Sequence, residues 1–139
     1  MRPLLLDRVS LRRRSVPSFI KVMAERHPEL RTQVTYVDFL AIAEREGISV
    51  RVVPLSRPAR LVRCENAVFI QLADRTTHKE RAVLGMHELC HFWRDDPGQP
   101  CFYADEEDLR PLEEFADIFA WFVTSTARPF VRGLREEDF

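Results

Sequence analysis

No stretch of this 139-residue chain is apolar for long enough to span a membrane or to form the core of an export signal. Near the start, Leu4-Leu5-Leu6 is interrupted at once by Asp7. Cysteine is scarce. Cys64, Cys90 and Cys101 form no C-x-x-C pair, and an odd count argues against a disulfide framework. A reducing cytoplasm is the expected compartment. An excess of one charge is lacking too. The formal net charge is −1, which removes any global electrostatic drive toward nucleic acid or membrane. Lysine occurs only as Lys21 and Lys79, so the basic charge is nearly all arginine, a bias attributed to coding rather than to nucleic-acid binding. There is no internal repeat and no low-complexity segment. What remains fits one domain over residues 1–139, with 45% apolar residues to build a core. Arms at 1–15 and 128–139 are expected to be flexible, and Arg12-Arg13-Arg14 in the first reads as part of a solvated terminus.

Histidine is limited to His27, His78, His87 and His91, and two of these fall in one motif. His87-Glu88-Leu89-Cys90-His91 reads H-E-x-x-H, the helical zinc signature of metallopeptidases. Histidines four apart on a helix are about 40° apart in projection, so both imidazoles reach one tetrahedral metal. Glu88 projects to the same side, where it can take a proton from water and return it to a leaving amine. On its own the motif could equally be a solvated helix face with an intrahelical ion pair. Its surroundings argue against that.

Residues 78–93 contain no proline, and Ala82, Val83, Met86, Leu89, Cys90 and Trp93 recur at the spacing of a buried helical stripe. Thr76 or Thr77 can cap the helix start, and Glu80 lies in its first turn. Pro97 and Gly98 follow its end. The motif therefore lies beside a core stripe, with Cys90 in a packing role. A buried His87 needs a partner for its ring nitrogens, and a metal supplies one.

A catalytic zinc site typically has three protein ligands. No histidine follows His91, so the third ligand is expected to be a carboxylate or a cysteine. Residues 112–123 form a second helical pattern, with Pro111 suited to its first turn and Phe115, Ile118, Phe119, Phe122 and Val123 as its buried stripe. Glu113 and Asp117 are one turn apart on it, similar to the E-x-x-x-D arrangement of gluzincin-type peptidases. Glu113 is the expected ligand. Asp117 is expected to accept the free ring N–H of a ligating histidine. Taken alone, the two acids would read as a solvated helix start.

These segments resemble the ImmA/IrrE family of small zinc metallopeptidases. The resemblance rests on Val68 to Leu72 as a hydrophobic strand, on Arg81 and the H-E-x-x-H run, and on Glu113, Ala116, Phe119 and Ala120; Asp117 stands where the family has asparagine. It covers roughly residues 36 to 126. The family's apolar L-L-x-P continuation is absent, and a sensor or helix-turn-helix domain is not expected within these 139 residues. The resemblance implies a minimal zincin-like domain, a Zn²⁺ cofactor and a helix-turn-helix transcriptional repressor as the substrate, cleaved to release mobile-element or stress-response genes. It also points to Val68–Leu72 as an edge strand that pairs with extended substrate.

The remaining segments complete an α+β pattern. Pro17 opens a helix that His27-Pro28 ends, with His27 expected at the surface. Thr35 caps a helix over 36–46, on which Val37, Leu40, Ala41 and Ala43 or Glu44 mark the two faces, and Gly47 closes it. Strands are expected at 48–52, 61–64 and 67–72, the last two joined by a turn at Glu65-Asn66.

The expected chemistry follows. His87, His91 and Glu113 hold zinc, and Glu88 is general base and then general acid. Tyr103, or alternatively Arg110, is the candidate oxyanion donor. Cys101 is an open alternative as ligand or redox-sensitive residue. The competing functions are a catalytically silent zinc-binding module that sequesters a repressor or toxin, a structural four-ligand zinc site and, least favoured, a DNA-binding protein.

Overall fold

The structure, a computed structural model, describes residues 14–94 and 106–125, with the backbone alone for 106–110. Most of both expected arms lies outside the described residues. Ser15 is an exception. Its hydroxyl accepts from the Ser18 N–H and caps α1 (Val16–Ala24). A single 3-10 turn (Pro28–Arg31) follows. Next comes α2 (Tyr36–Arg45), whose start is a reciprocal capping box. The Thr35 N–H donates to Asp38 Oδ2 at 3.0 Å, and the Asp38 N–H donates to Thr35 Oγ1 at 3.2 Å. Gly47 ends the helix at φ +75°, a backbone conformation that side chains with a Cβ rarely adopt. On α2, Phe39, Ile42 and Ala43 are buried while Val37 and Leu40 face outward.

Three strands follow: β1 (Ile48–Val53), β2 (Ala59–Cys64) and β3 (Ala67–Ala73). Their order in the sheet is β1-β3-β2. β1 runs parallel to β3, with Val50 opposite Ile70; β2 runs antiparallel to it, with Cys64 opposite Ala67. This corrects one expectation. The strand over 68–72 is central and has no free edge. Its near-continuous apolar run buries Ile70, Leu72 and Ala73, as a strand paired on both sides requires. The strand edges near the helices therefore belong to β1 and β2. The β1–β2 connection crosses the end of β3 and is pinned there. The Asp74 N–H donates to Val53 O at 3.0 Å, the Ala73 N–H to Pro58 O at 2.8 Å, and Arg75 donates to Leu55 O and Ser56 O.

α3 (His78–Arg94) begins with a second capping box. The Thr77 N–H donates to Glu80 Oε1 at 2.8 Å, and the Glu80 N–H donates to Thr77 Oγ1 at 3.1 Å. Ala82, Met86, Leu89, Cys90 and Trp93 are buried as the periodicity predicts, but Val83 is 40% exposed. Gly85 makes the contact with α2 instead. A Cβ there would lie 2.5 Å from Phe39 Cζ, so the absence of a side chain lets the Phe39 ring lie against the helix.

α4 (Glu106–Thr124) starts earlier than expected, which places Pro111 inside it. The proline forgoes one hydrogen bond, to the carbonyl of residue 107. Ala116, Phe119, Ala120 and Val123 are buried, whereas Ile118 is exposed, so the buried stripe is rotated toward the small alanines. Phe19 of α1 locks α4 against α3. Its ring lies 5.5 Å from Phe115 and 5.4 Å from Phe119, both edge-on, and 6.2 Å from Trp93. The chain before α2 satisfies the end of α4. The Val34 N–H donates to Val123 O at 2.7 Å, and Gln33 Nε2 donates to Thr124 O at 3.1 Å.

His27 is a second correction. It is 1% exposed, not a surface residue. Its ring stacks on Trp93 at 5.5 Å. Arg45 can only donate, so its contact with His27 Nδ1 at 2.7 Å makes that nitrogen the acceptor. Nε2–H then donates to Glu46 Oε2 at 2.6 Å. Proline at 28 ends the helix, but the 3-10 turn folds the imidazole inward where α2 supplies both partners. None of the described helices is long and apolar enough to cross a membrane.

Candidate metal centre

The periodicity of α3 places His87 and His91 one turn apart, and that of α4 does the same for Glu113 and Asp117. Packing of α4 on α3 then brings the four together. His87 Nε2 and His91 Nε2 lie 3.1 Å apart. Glu113 spans them, with Oε1 at 3.0 Å from His87 Nε2 and Oε2 at 2.9 Å from His91 Nε2. Asp117 Oδ1 lies 2.9 Å from the other nitrogen of His87, Nδ1. His91 is 8% exposed and Glu113 is about half exposed, so the cluster opens to solvent on the α4 side.

The donor set fits a metal. Ligand atoms bonded at about 2.0–2.1 Å in tetrahedral geometry lie about 3.4 Å from one another. The three separations here are a few tenths of an ångström shorter. Two imidazoles and a carboxylate that converge this closely form a donor set able to hold a metal ion. His87, His91 and Glu113 are the one such group among the described residues.

The electrostatics run the same way. Hydrogen bonds from His87 and His91 hold the Glu113 carboxyl far below its ordinary range, outweighing its partial burial. Burial alone would lower the pKa of His87. Its hydrogen bond to Glu113 and the charge of Glu88 outweigh that and raise it. Burial pushes the Glu88 carboxyl up, and the neighbouring histidine charges only partly offset it.

Glu88 shares one helix stripe with Leu84 and Phe92. That stripe faces β2: Leu84 and Pro58 line one groove, and the Arg63 guanidinium lies 5.3 Å over the Phe92 ring. β2 therefore runs beside α3 past the motif. Residue patterns miss Arg57. It lies on the β1–β2 connection, and its charge acts on Glu88. Nothing in the local sequence marks it, because only the strand order brings that connection to the helix. Cys90 is buried, as its packing role requires. Tyr103, Cys101 and the Arg110 side chain lie outside the described residues.

Comparison with protein-family models, with curated proteins and with solved structures found no match to this chain.

Proposed function

We propose that this chain is a zinc-dependent endopeptidase acting on a protein substrate. The observation that carries this reading is the convergence of His87 Nε2, His91 Nε2 and Glu113 within 3.1 Å, with Glu88 on the neighbouring stripe of the same helix. Zinc suits two imidazoles and one carboxylate, and when bound it supplies Lewis acidity for a scissile carbonyl and for water.

The chain's own residues do the rest. Asp117 accepts the hydrogen bond of His87 Nδ1–H and so presents Nε2 to the site. Glu88 is the proton acceptor. Burial raises its pKa toward the working range, which makes it a better base than an ordinary surface carboxylate. It then delivers that proton to the departing amine nitrogen. Among the described residues the outer edge of β2 is unpaired, and the chain from Pro58, next to Leu84, to Arg63, over Phe92, runs beside α3. An extended substrate segment adding to that edge is held by main-chain hydrogen bonds alongside Glu88.

The resemblance to the ImmA/IrrE family supports a helix-turn-helix repressor as the protein cut. The test combines zinc analysis with co-incubation of the chain and the repressor encoded beside it. The wild type yields discrete fragments, and Glu88→Gln binds zinc but leaves the repressor whole. A repressor left whole by the zinc-loaded wild type overturns the proposal.

A further inference from the structure

An open groove of about 560 Å³ lies at the start of α3. Pro58, Val83 and Leu84 form its apolar floor, and Arg75, Lys79 and Glu80 stand around it. Val83 and Leu84 precede His87 and Glu88 by four residues, so the floor is one helical turn, about 5.4 Å, from the motif. Helical spacing assigns Val83 to the core stripe, yet it is 40% exposed on this groove. An exposed branched apolar side chain on a groove next to a reactive site is a recognition element rather than a core residue.

Cations outnumber the acid around the floor. Arg75 and Lys79 are exposed at the groove, and Arg57 is exposed on the connection just before Pro58. The acid, Glu80, is engaged: its carboxylate accepts from the Thr77 N–H at 2.8 Å. The whole chain has a net charge of −1, so this cationic surround is local.

We propose that the groove selects the substrate residue next to the cut bond. It takes an apolar side chain on Pro58, Val83 and Leu84, with an adjacent Asp or Glu of the substrate facing Lys79 and Arg75. This inference names the sequence class cut by the peptidase proposed above, and it rests on that reading. The occupant follows from charge complementarity, since a basic neighbour would meet the same cations and be repelled.

The test separates binding from cleavage. Two fluorescent peptide pools are titrated into zinc-loaded, full-length Glu88→Gln and followed by anisotropy. One pool carries leucine beside glutamate, the other leucine beside lysine. The acidic pool binds on the order of tenfold more tightly, as one rim charge pair provides. Lys79→Glu erases or inverts that preference, and Val83→Asp weakens the acidic pool. Circular dichroism verifies that both variants are folded. Equal binding of the pools, no binding of either at millimolar peptide, or a preference untouched by Lys79→Glu overturns the proposal. If the acidic pool binds but the wild type cuts neither pool, the groove assignment stands and the peptidase reading falls.

Discussion

Asp117 Oδ1 lies 2.9 Å from His87 Nδ1, on the opposite side of the ring from the nitrogen that faces His91 and Glu113. A carboxylate only accepts, so Nδ1 carries a proton toward Asp117, and Nε2 is the ring nitrogen left to face the cluster and to ligate a bound metal. Asp117 thereby sets which atom of His87 is available to a metal. Asp117→Ala is expected to lower zinc affinity or activity by about 10–100-fold while the fold is kept. Competition with a chromophoric chelator measures this, and an unchanged affinity would show that the contact does not orient the ring.

Glu88→Gln is expected to retain zinc and to lose cleavage by about 10²–10⁴-fold. Burial raises the Glu88 pKa above 4.5, and a general base acts only when deprotonated. Activity should therefore rise with pH through a value above 4.5. An acid limb of kcat/KM centred at or below that pH contradicts the role of burial.

Acid stability should depend on Glu46. Burial would raise its pKa, but the hydrogen bond from His27 and the charge of Arg26 outweigh it and hold it below 4.5. A depressed folded pKa stabilises the fold above 4.5 and ceases to do so as pH falls through the folded value. Urea midpoints of the wild type should fall below pH 4.5, and Glu46→Ala should flatten that dependence. At neutral pH the same variant leaves the buried His27 N–H without its acceptor, at a cost of about 1–3 kcal/mol. Identical acid slopes in the two proteins would remove Glu46 as the cause.

Gly85→Ala sets two effects against each other. The better helix propensity of alanine contributes about 1 kcal/mol. The added Cβ would lie 2.5 Å from the Phe39 ring, and such overpacking costs about 1–3 kcal/mol. The clash should win and lower Tm, and Phe39→Leu in the same chain should recover part of the loss. A Tm raised by Gly85→Ala alone would mean that α2 and α3 are not in this close contact.

Much of the fold is legible in the chain because its signals are local. Thr35 with Asp38 and Thr77 with Glu80 mark helix starts within four residues, and Gly47 marks an end. The Glu65-Asn66 turn and the apolar runs on either side mark the β2–β3 hairpin. The misjudged positions share a cause. Val83 and Ile118 are apolar at helical spacing, but a stripe wider than the contact leaves its margins exposed. Which margin is left out depends on the partner: Gly85 and Phe39 set the approach on one side of α3, and Ala116 and Ala120 on α4 set it on the other.

By itself the sequence determined the relations inside each helix: His87 with His91, Glu113 with Asp117, and Glu88 on the stripe beside the histidines. A rise of 1.5 Å and a turn of 100° per residue settle those. Only the tertiary structure decided that Glu113, 26 residues beyond His87, closes on both imidazoles. It also decided that β3 is central with β1 and β2 at the edges, and that His27 is buried against Trp93. The physical reason is that positions between elements depend on which apolar faces exclude water together. That choice is made by side chains far apart in the chain, here Phe19, Phe39, Trp93 and Phe119.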